Sequence, residues 1–230
     1  MTVSHGHQLT ADQLAFLQSV DSPTISNAVE PFKVRDRTDG FIGGAVRALF
    51  PDLGVMVGHA LTVTVTNAPG PVANRDAYWR MWELAEAMAR PIVVVMQDVS
   101  GAPTRVAYAG EVMATIAQRL GVVGMVTDGG YRDLNEVRAL GIHYYAAYAV
   151  VSHANFSVVD AGVPVVIDGQ RVEPGDILHG DANGIVIVPP SVLDGLPGAV
   201  QEVRDRERQT MDFIKSDAFS LEAVKAGRGY

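Results

Sequence analysis

The chain has 230 residues, with 18 Lys plus Arg against 26 Asp plus Glu, six His and no Cys, so its formal net charge is −8. A composition of 48% hydrophobic and 19% charged residues suits one or two globular domains and argues against disorder, while the absence of cysteine excludes disulfides, thiolate metal sites and cysteine nucleophiles. The acidic balance without a basic run argues against nucleic acid, and neither a membrane-spanning apolar stretch nor a signal-like start is present, so a soluble, cytoplasmic protein that binds neither nucleic acid nor membrane is expected.

Thr10-Ala11-Asp12-Gln13 has capping-box spacing, and Ser22-Pro23 places an N-cap before a proline at the first helical position, so two short helices open the chain. From Gly43 to Asn67 the sequence is nearly uncharged and rich in β-branched residues. Strands are expected over 45–50 and 60–66, separated by a turn at 51–54. Pro69-Gly70-Pro71 reads as a loop and 76–90 as a helix, after which the apolar run 91–96 reads as a buried strand. Helices over about 105–119 and 132–140 then alternate with strands over 124–127 and about 142–149, giving a βαβαβ-like centre. Strands dominate again from Val150 to Pro190, and the charged segment beyond Pro190 reads as helical. No repeat or linker divides the chain, and pattern alone supports an α/β or α+β domain.

The residues best suited to chemistry are Gly110 and Glu111, followed after twenty residues by Arg132, Asp133 and Glu136. If the first helix of this pair starts near Gly110, both groups stand at helix N-termini, where unpaired N–H groups and the positive end of the dipole can hold a small carboxylate. Arg132 offers a planar fork, and Asp133, Glu111 and Glu136 offer the hard oxygens that Mg²⁺ or Mn²⁺ selects. The same residues also have a plain structural explanation, since acids in a first turn favour the helix and an Arg-Asp pair at a helix start often serves as a cap. Histidines 59, 143 and 179 fall in strand or turn contexts that suit hydrogen-bonded structural roles. His153 is the one worth testing, and Tyr131, beside Arg132, could line a pocket.

Four segments (residues 43–49, 57–63, 109–137 and 172–189) resemble the RraA-like and 4-hydroxy-4-methyl-2-oxoglutarate (HMG) aldolase family, the resemblance running over roughly residues 24–210. It implies one RraA-like domain over 1–230, with a helical N-terminal segment (about 10–30) and a helical C-terminal extension (about 191–230). Its fold would be an αββα sandwich with a barrel-like central sheet, assembled as a homotrimer or homohexamer. In the family's aldolases, the resemblance implies, Asp133 binds the divalent metal, Glu111 holds metal-bound water and Glu136 stands behind them. Arg132 would grip the pyruvoyl carboxylate beside Gly110 and the amides of Val112 and Met113, and a neighbouring subunit's C-terminal helix would add a carboxylate, for which Glu207 is the candidate.

The implied activity is metal-dependent, pyruvate-forming cleavage of 4-hydroxy-2-oxo acids such as HMG or 4-carboxy-4-hydroxy-2-oxoadipate. Oxaloacetate decarboxylation would pass through the same enolate, with metal-bound water as a candidate base. A Schiff-base route is disfavoured because the three lysines, Lys33, Lys215 and Lys225, lie in charged or polar surroundings. The alternative is a non-catalytic regulator that binds ribonuclease E or another protein. A methyltransferase would need a glycine-rich cofactor loop that the sequence lacks. The sequence departs from the family's pattern after the Pro-Gly loop, where 69–76 has no Asp-Asn pair, and around His153, Asn155 and Phe156. Both stretches would bear on the substrate's tail.

Overall fold

The computed structural model describes residues 7–68, 75–102 and 104–227. The loop expected at Pro69-Gly70-Pro71, with Asn74, lies outside them.

Helix α1 (Ala11–Gln18) carries the expected capping box, with the Gln13 N–H donating to Thr10 Oγ1 and the Thr10 N–H donating to Gln13 Oε1. Helix α2 (Ser22–Val29) starts one residue earlier than the proline pattern suggests. Its N-cap is Asp21, whose Oδ1 accepts the Thr24 N–H at 2.8 Å, and this frees the Ser22 hydroxyl to contact His179 Nδ1 at 2.9 Å. His179 Nε2 then donates to the Leu17 carbonyl at 2.9 Å, so this fully buried histidine joins the opening helices to the sheet.

Short strands β1 (Phe41–Ile42) and β2 (Arg47–Ala48) lead through a 3₁₀ turn at Pro51–Leu53 into the long strand β3 (Met56–Thr66). Only two residues of the strand expected over 45–50 pair in the sheet, because β2 is an edge strand whose one partner is a later strand at Tyr145–Ala146. Helix α3 (Arg75–Ala87), strand β4 (Ile92–Asp98), helix α4 (Glu111–Arg119) and strand β5 (Val122–Thr127) follow. Next come β6 (Gly130–Tyr131), α5 (Leu134–Ala139), β7 (His143–Ala146) and β8 (Tyr148–Ala149). The remaining strands are β9 (Ser157–Ala161), β10 (Val165–Ile167), β11 (Gln170–Val172), β12 (Ile177–Asp181) and β13 (Gly184–Val188). Helices α6 (Leu196–Lys215) and α7 (Leu221–Gly227) end the described chain.

Nine strands form one mixed sheet in the order β1-β13-β12-β3-β4-β5-β7-β2, with β9 added antiparallel to the far half of β3. Its centre, β3-β4-β5-β7, is parallel, and α3, α4 and α5 lie in the successive crossovers. Residues Ile92 to Met96 of β4 are all fully buried, and they alternate between two cores. Ile92, Val94 and Met96 face the cluster that includes Met81 and Trp82 of α3 and Ala114 and Ala117 of α4, while Val93 and Val95 face a second cluster with Ile42, Val165 and Leu178. A third core packs α1, α2 and α6 on the β12–β13 ribbon through Leu17, Ile25, Leu196 and Val200.

One expected helix is shorter than its periodicity suggests. Residues 106–109 are buried extended chain, not helix: the Tyr108 N–H donates to the Gly130 carbonyl at 2.8 Å, the Arg132 N–H donates to the Ala109 carbonyl at 3.1 Å, and α4 begins only after Gly110. Pairing with β6 satisfies backbone groups that a helix would have satisfied internally, and the apolar run Val106 to Ala109 suits either conformation.

Where β4 and β5 end, two carboxylates meet. The Asp98 N–H donates to Asp128 Oδ1 at 2.8 Å, while Asp98 accepts from the Ser100 N–H and hydroxyl at 2.6 Å each and from the Tyr108 hydroxyl. Burial, reinforced by the charge of Asp98, pushes the Asp128 carboxyl up to about 6, against the pull of its hydrogen bond from Asp98. A raised folded-state pKa means that ionised Asp128 weighs against the fold above about pH 6 and that this penalty fades as pH falls toward the ordinary carboxylate value of 3.8. Burial lowers the pKa of His59, His143 and His179, so they act in the opposite sense, losing stability as pH falls below about 6.5, but they do so equally in a variant and its parent. Asp128→Asn keeps an Oδ1 acceptor for Asp98. It should stabilise the protein at about pH 8 by at most about 3 kcal/mol, with the gain gone near pH 4. Urea unfolding at both pH values checks this, and a pH-independent difference would refute the buried charge.

Candidate active site

The parallel strands deliver their connecting loops to one edge of the sheet, the usual place for ligands in such an architecture. There Gly110 caps α4 in an extended conformation (φ −148°) without any side-chain hydrogen bond of its own. Its cap comes from another helix: Asp133, at the N-cap of α5, directs Oδ2 to the Glu111 N–H at 2.9 Å. Asp133 achieves this with φ 58° and ψ 47°, a left-handed conformation that Asp tolerates better than most residues. Arg132 Nε lies 3.5 Å from the same oxygen.

Glycine at position 110 is required by this contact. A Cβ there would stand 2.4 Å from Asp133 Oδ2 and 2.9 Å from Arg132 Nε, well inside van der Waals distance. Gly110, Glu111, Arg132 and Asp133 therefore assemble as the sequence pattern anticipates, with the first amides of α4, including those of Val112 and Met113, beyond the reach of intrahelical carbonyls. Glu136 is exposed one turn into α5. Glu207 lies apart on α6, where its Oε1 accepts from Asn27 Nδ2 of α2 at 3.5 Å.

Beside this cluster is a cavity of about 250 Å³. Gly110, Val112, Met113 and Arg132 line it on the motif side, and Tyr78, Tyr108, His153 and Phe156 contribute further lining. Two of the residues in the stretch that departs from the family's pattern, His153 and Phe156, are thus among the lining. The Asn155 N–H is held by Asn67 Oδ1 at 3.0 Å. Tyr131 does not line the cavity. It is fully buried and stacked on Tyr144 at 4.1 Å, and burial raises the pKa of both phenols. The alternation of side chains along β6 sends this ring into the core, a direction that adjacency to Arg132 in sequence does not reveal.

Asp98, Asp128, Tyr78 and Tyr108 escaped the sequence reading. The two acids had a usable signal, since each stands at the end of a mostly apolar, buried parallel strand, Asp98 closing β4 and Asp128 following β5, the position where such strands present polar residues to a site. Tyr108 joins the two features: fully buried, it backs the cavity wall and donates its hydroxyl to Asp98.

The cluster's donors suit a hard cation. Asp133 and Glu111 are both oxygen ligands, and Mg²⁺ commonly uses one or two protein carboxylates and keeps several waters. Among the described residues no three His, Asp or Glu side chains converge as a complete ligand set, so oxygens from solvent, substrate or a second subunit would have to finish the coordination. All three lysines are exposed, and none lines the cavity.

The RraA-like family model, described as Aldolase/RraA, matches residues 22–187. A Halalkalibacterium halodurans protein, provisionally named a 4-hydroxy-4-methyl-2-oxoglutarate aldolase, is 29% identical over 174 residues, covering 74% of this chain and 78% of its own. Among solved structures, Streptomyces coelicolor RraAS2, described as an unusual member of the RNase ES inhibitor RraA family, superposes with a TM-score of 0.68 at 24% identity, over 91% of this chain and 99% of that one. An uncharacterized Pseudomonas syringae protein gives 0.70 at 24% identity, over 95% and 99%. These two likenesses speak to the fold, which is mixed α/β, with a central sheet that is not a closed barrel, since among the described residues its end strands β1 and β2 do not pair with each other. With nearly three quarters of its length matched by the family model, the chain belongs to the RraA-like family.

Proposed function

We propose that this protein is a divalent-cation-dependent aldolase that releases pyruvate from 4-hydroxy-2-oxo acids, the class that includes HMG and 4-carboxy-4-hydroxy-2-oxoadipate, and that it decarboxylates oxaloacetate through the same enolate. The observation that carries this reading is the Asp133 carboxylate drawn onto the N-terminus of α4 beside Arg132, across a glycine that admits no side chain. The aldolase name of a relative aligned over most of both chains supports it.

Arg132 and the free amides at the start of α4 would bind the substrate's carboxylate, fixing the 2-oxo group near Asp133 and Glu111. These two acids would hold Mg²⁺ or Mn²⁺, which when bound supplies Lewis-acid polarisation of the 2-oxo oxygen. In the retro-aldol step the C4 hydroxyl loses its proton as C4 becomes a carbonyl. The C3–C4 bond breaks with its electron pair passing to the enolate of pyruvate, and C3 is then protonated. With oxaloacetate the same bond breaks and the departing carbon leaves as CO₂. The Arg132 guanidinium and the helix dipole counter the charge that grows on the enolate, more strongly than they act on the ground state.

Self-association into a trimer or hexamer belongs to this proposal, with Glu207, whose side chain contacts Asn27 of α2 and does not line the cavity of its own chain, as the carboxylate offered to a neighbouring copy. No comparable local observation favours the alternative, a regulator that binds ribonuclease E.

Pyruvate release from HMG, 4-carboxy-4-hydroxy-2-oxoadipate and oxaloacetate should require Mg²⁺ or Mn²⁺ and stop with EDTA. Activity that survives EDTA or Asp133→Ala would overturn the cation-dependent mechanism. Arg132→Ala should lower kcat/KM by roughly 10²–10³-fold, as loss of a group that stabilises developing charge does. Glu136→Ala should cost about tenfold, in keeping with a supporting position. In size-exclusion chromatography coupled to activity measurement, turnover should elute with an oligomer and fall in Glu207→Ala, and a fully active monomer would remove Glu207 from the site.

A further inference from the structure

The two ends of the cavity differ in chemistry. At the motif end are the Arg132 guanidinium and the helix-start amides of Val112 and Met113, with the Asp133 carboxylate against Gly110. Among the described residues the lining beyond it is made of rings and apolar groups, Tyr78, Tyr108, Phe156, Met113 and Val112, with His153 as the one other ionisable side chain apart from the tyrosines. The rings of Tyr108 and Phe156 meet edge to face, with centroids 5.8 Å apart. Tyr108 is fully buried and donates its hydroxyl to Asp98, so of the three rings only Tyr78 and Phe156, both half-buried, keep exposed surface.

Among the described residues that line the cavity, Arg132 is the only Arg or Lys. Binding the 2-oxo acid head would occupy it. A second carboxylate on the tail would then lose water without gaining a cation, and behind Tyr108 it would meet the charges of Asp98 and Asp128. An apolar or aromatic tail meets neither penalty and covers the ring faces already present. The volume, about 250 Å³, lies near the small end of ligand pockets and is enough for a 2-oxo acid head with one ring or a short branched chain.

Resting on the aldolase reading, we infer that the site prefers 4-hydroxy-2-oxo acids whose C4 substituent is apolar or aromatic over those that carry a second carboxylate. Cleavage then yields pyruvate and an apolar aldehyde: the C4 hydroxyl proton is lost, the C3–C4 bond breaks toward C3, and C3 gains a proton. No oxidant or further reactant enters.

Two measurements test this. With Mg²⁺ present, pyruvate release is compared for 4-hydroxy-2-oxo-4-phenylbutanoate and HMG, and kcat/KM should favour the phenyl compound at least about tenfold. Calorimetric titration then compares 2-oxo-4-phenylbutanoate with 2-oxoglutarate, neither of which has a C4 hydroxyl to undergo retro-aldol cleavage, and the phenyl compound should again bind at least about tenfold tighter. His153→Arg, an exposed position, should narrow both preferences by supplying a second cation. Equal or better handling of HMG and 2-oxoglutarate overturns the tail preference and leaves the aldolase reading standing. Tighter binding of the phenyl compound with no pyruvate from any substrate overturns the aldolase reading, and with it the cleavage proposed here. Preferences unchanged in His153→Arg would overturn the assignment of this cavity as the tail's site.

Discussion

Strand β4 has hydrogen-bonded neighbours on both sides and a core on both faces, so from Ile92 to Met96 no side chain meets water. A strand buried in this way cannot carry polar chemistry along its length. Polar residues can appear only where it emerges, and Asp98 is the first acid after the run. Strand β5 repeats the arrangement one position along the sheet, ending at Thr127 with Asp128 next. The parallel order of β3, β4, β5 and β7 brings all these exits to one edge, together with the starts of the crossover segments that lead into α4 and α5. Location of the site at that edge is thus a consequence of how the core is built.

At the same edge the two crossovers are tied by a contact that needs three unusual features together. Gly110 must lack a Cβ, Asp133 must adopt a left-handed backbone, and the first N–H of α4 must be left without an internal partner. Each alone has a bland explanation, since glycines precede many helices and acids cap them. Their combination fixes the Arg132 side chain relative to the α4 amides. Residues 106–109 add to this by pairing with β6, so the chain before Gly110 and the chain before Arg132 are one short hydrogen-bonded unit. A helix begun at Arg105 would have lost that pairing and moved Gly110 into a helix interior.

This explains which parts of the molecule were legible in the sequence. The buried strands and the spacing of Gly110, Glu111, Arg132 and Asp133 could be read, because uninterrupted β-branched runs and charged residues at helix starts leave local signatures. The start of α4 is not legible, because Val106 to Ala109 is apolar in a way that suits a helix face or a buried strand equally, and the choice is made by Gly130, distant in sequence. The N-cap of α2 was displaced by one residue for a similar reason. Ser22 and Asp21 are both good caps, and a buried His179, distant in sequence, claims the serine. Tyr78 and Tyr108 were missed because tyrosines carry no positional signal of their own, and their part in the cavity depends on how α3 and the 106–109 segment pack.

The net charge of −8 sharpens the problem that any anionic ligand sets this protein. Asp98 and Asp128 lie behind the cavity, and the carboxyl of Asp128 is already pushed up by burial and by its neighbour, so more negative charge there is resisted. Positive potential is concentrated instead at Arg132 and the unpaired amides of α4, within one turn of helix, and Asp133 and Glu111 beside them can be offset by a cation. Such a gradient over a cavity of about 250 Å³ would orient a ligand with one charged end. On the proposed function it would draw a carboxylate head to the motif and leave the remainder against Phe156, and an acidic protein would in this way select an anion while disfavouring a second negative charge a few bonds away.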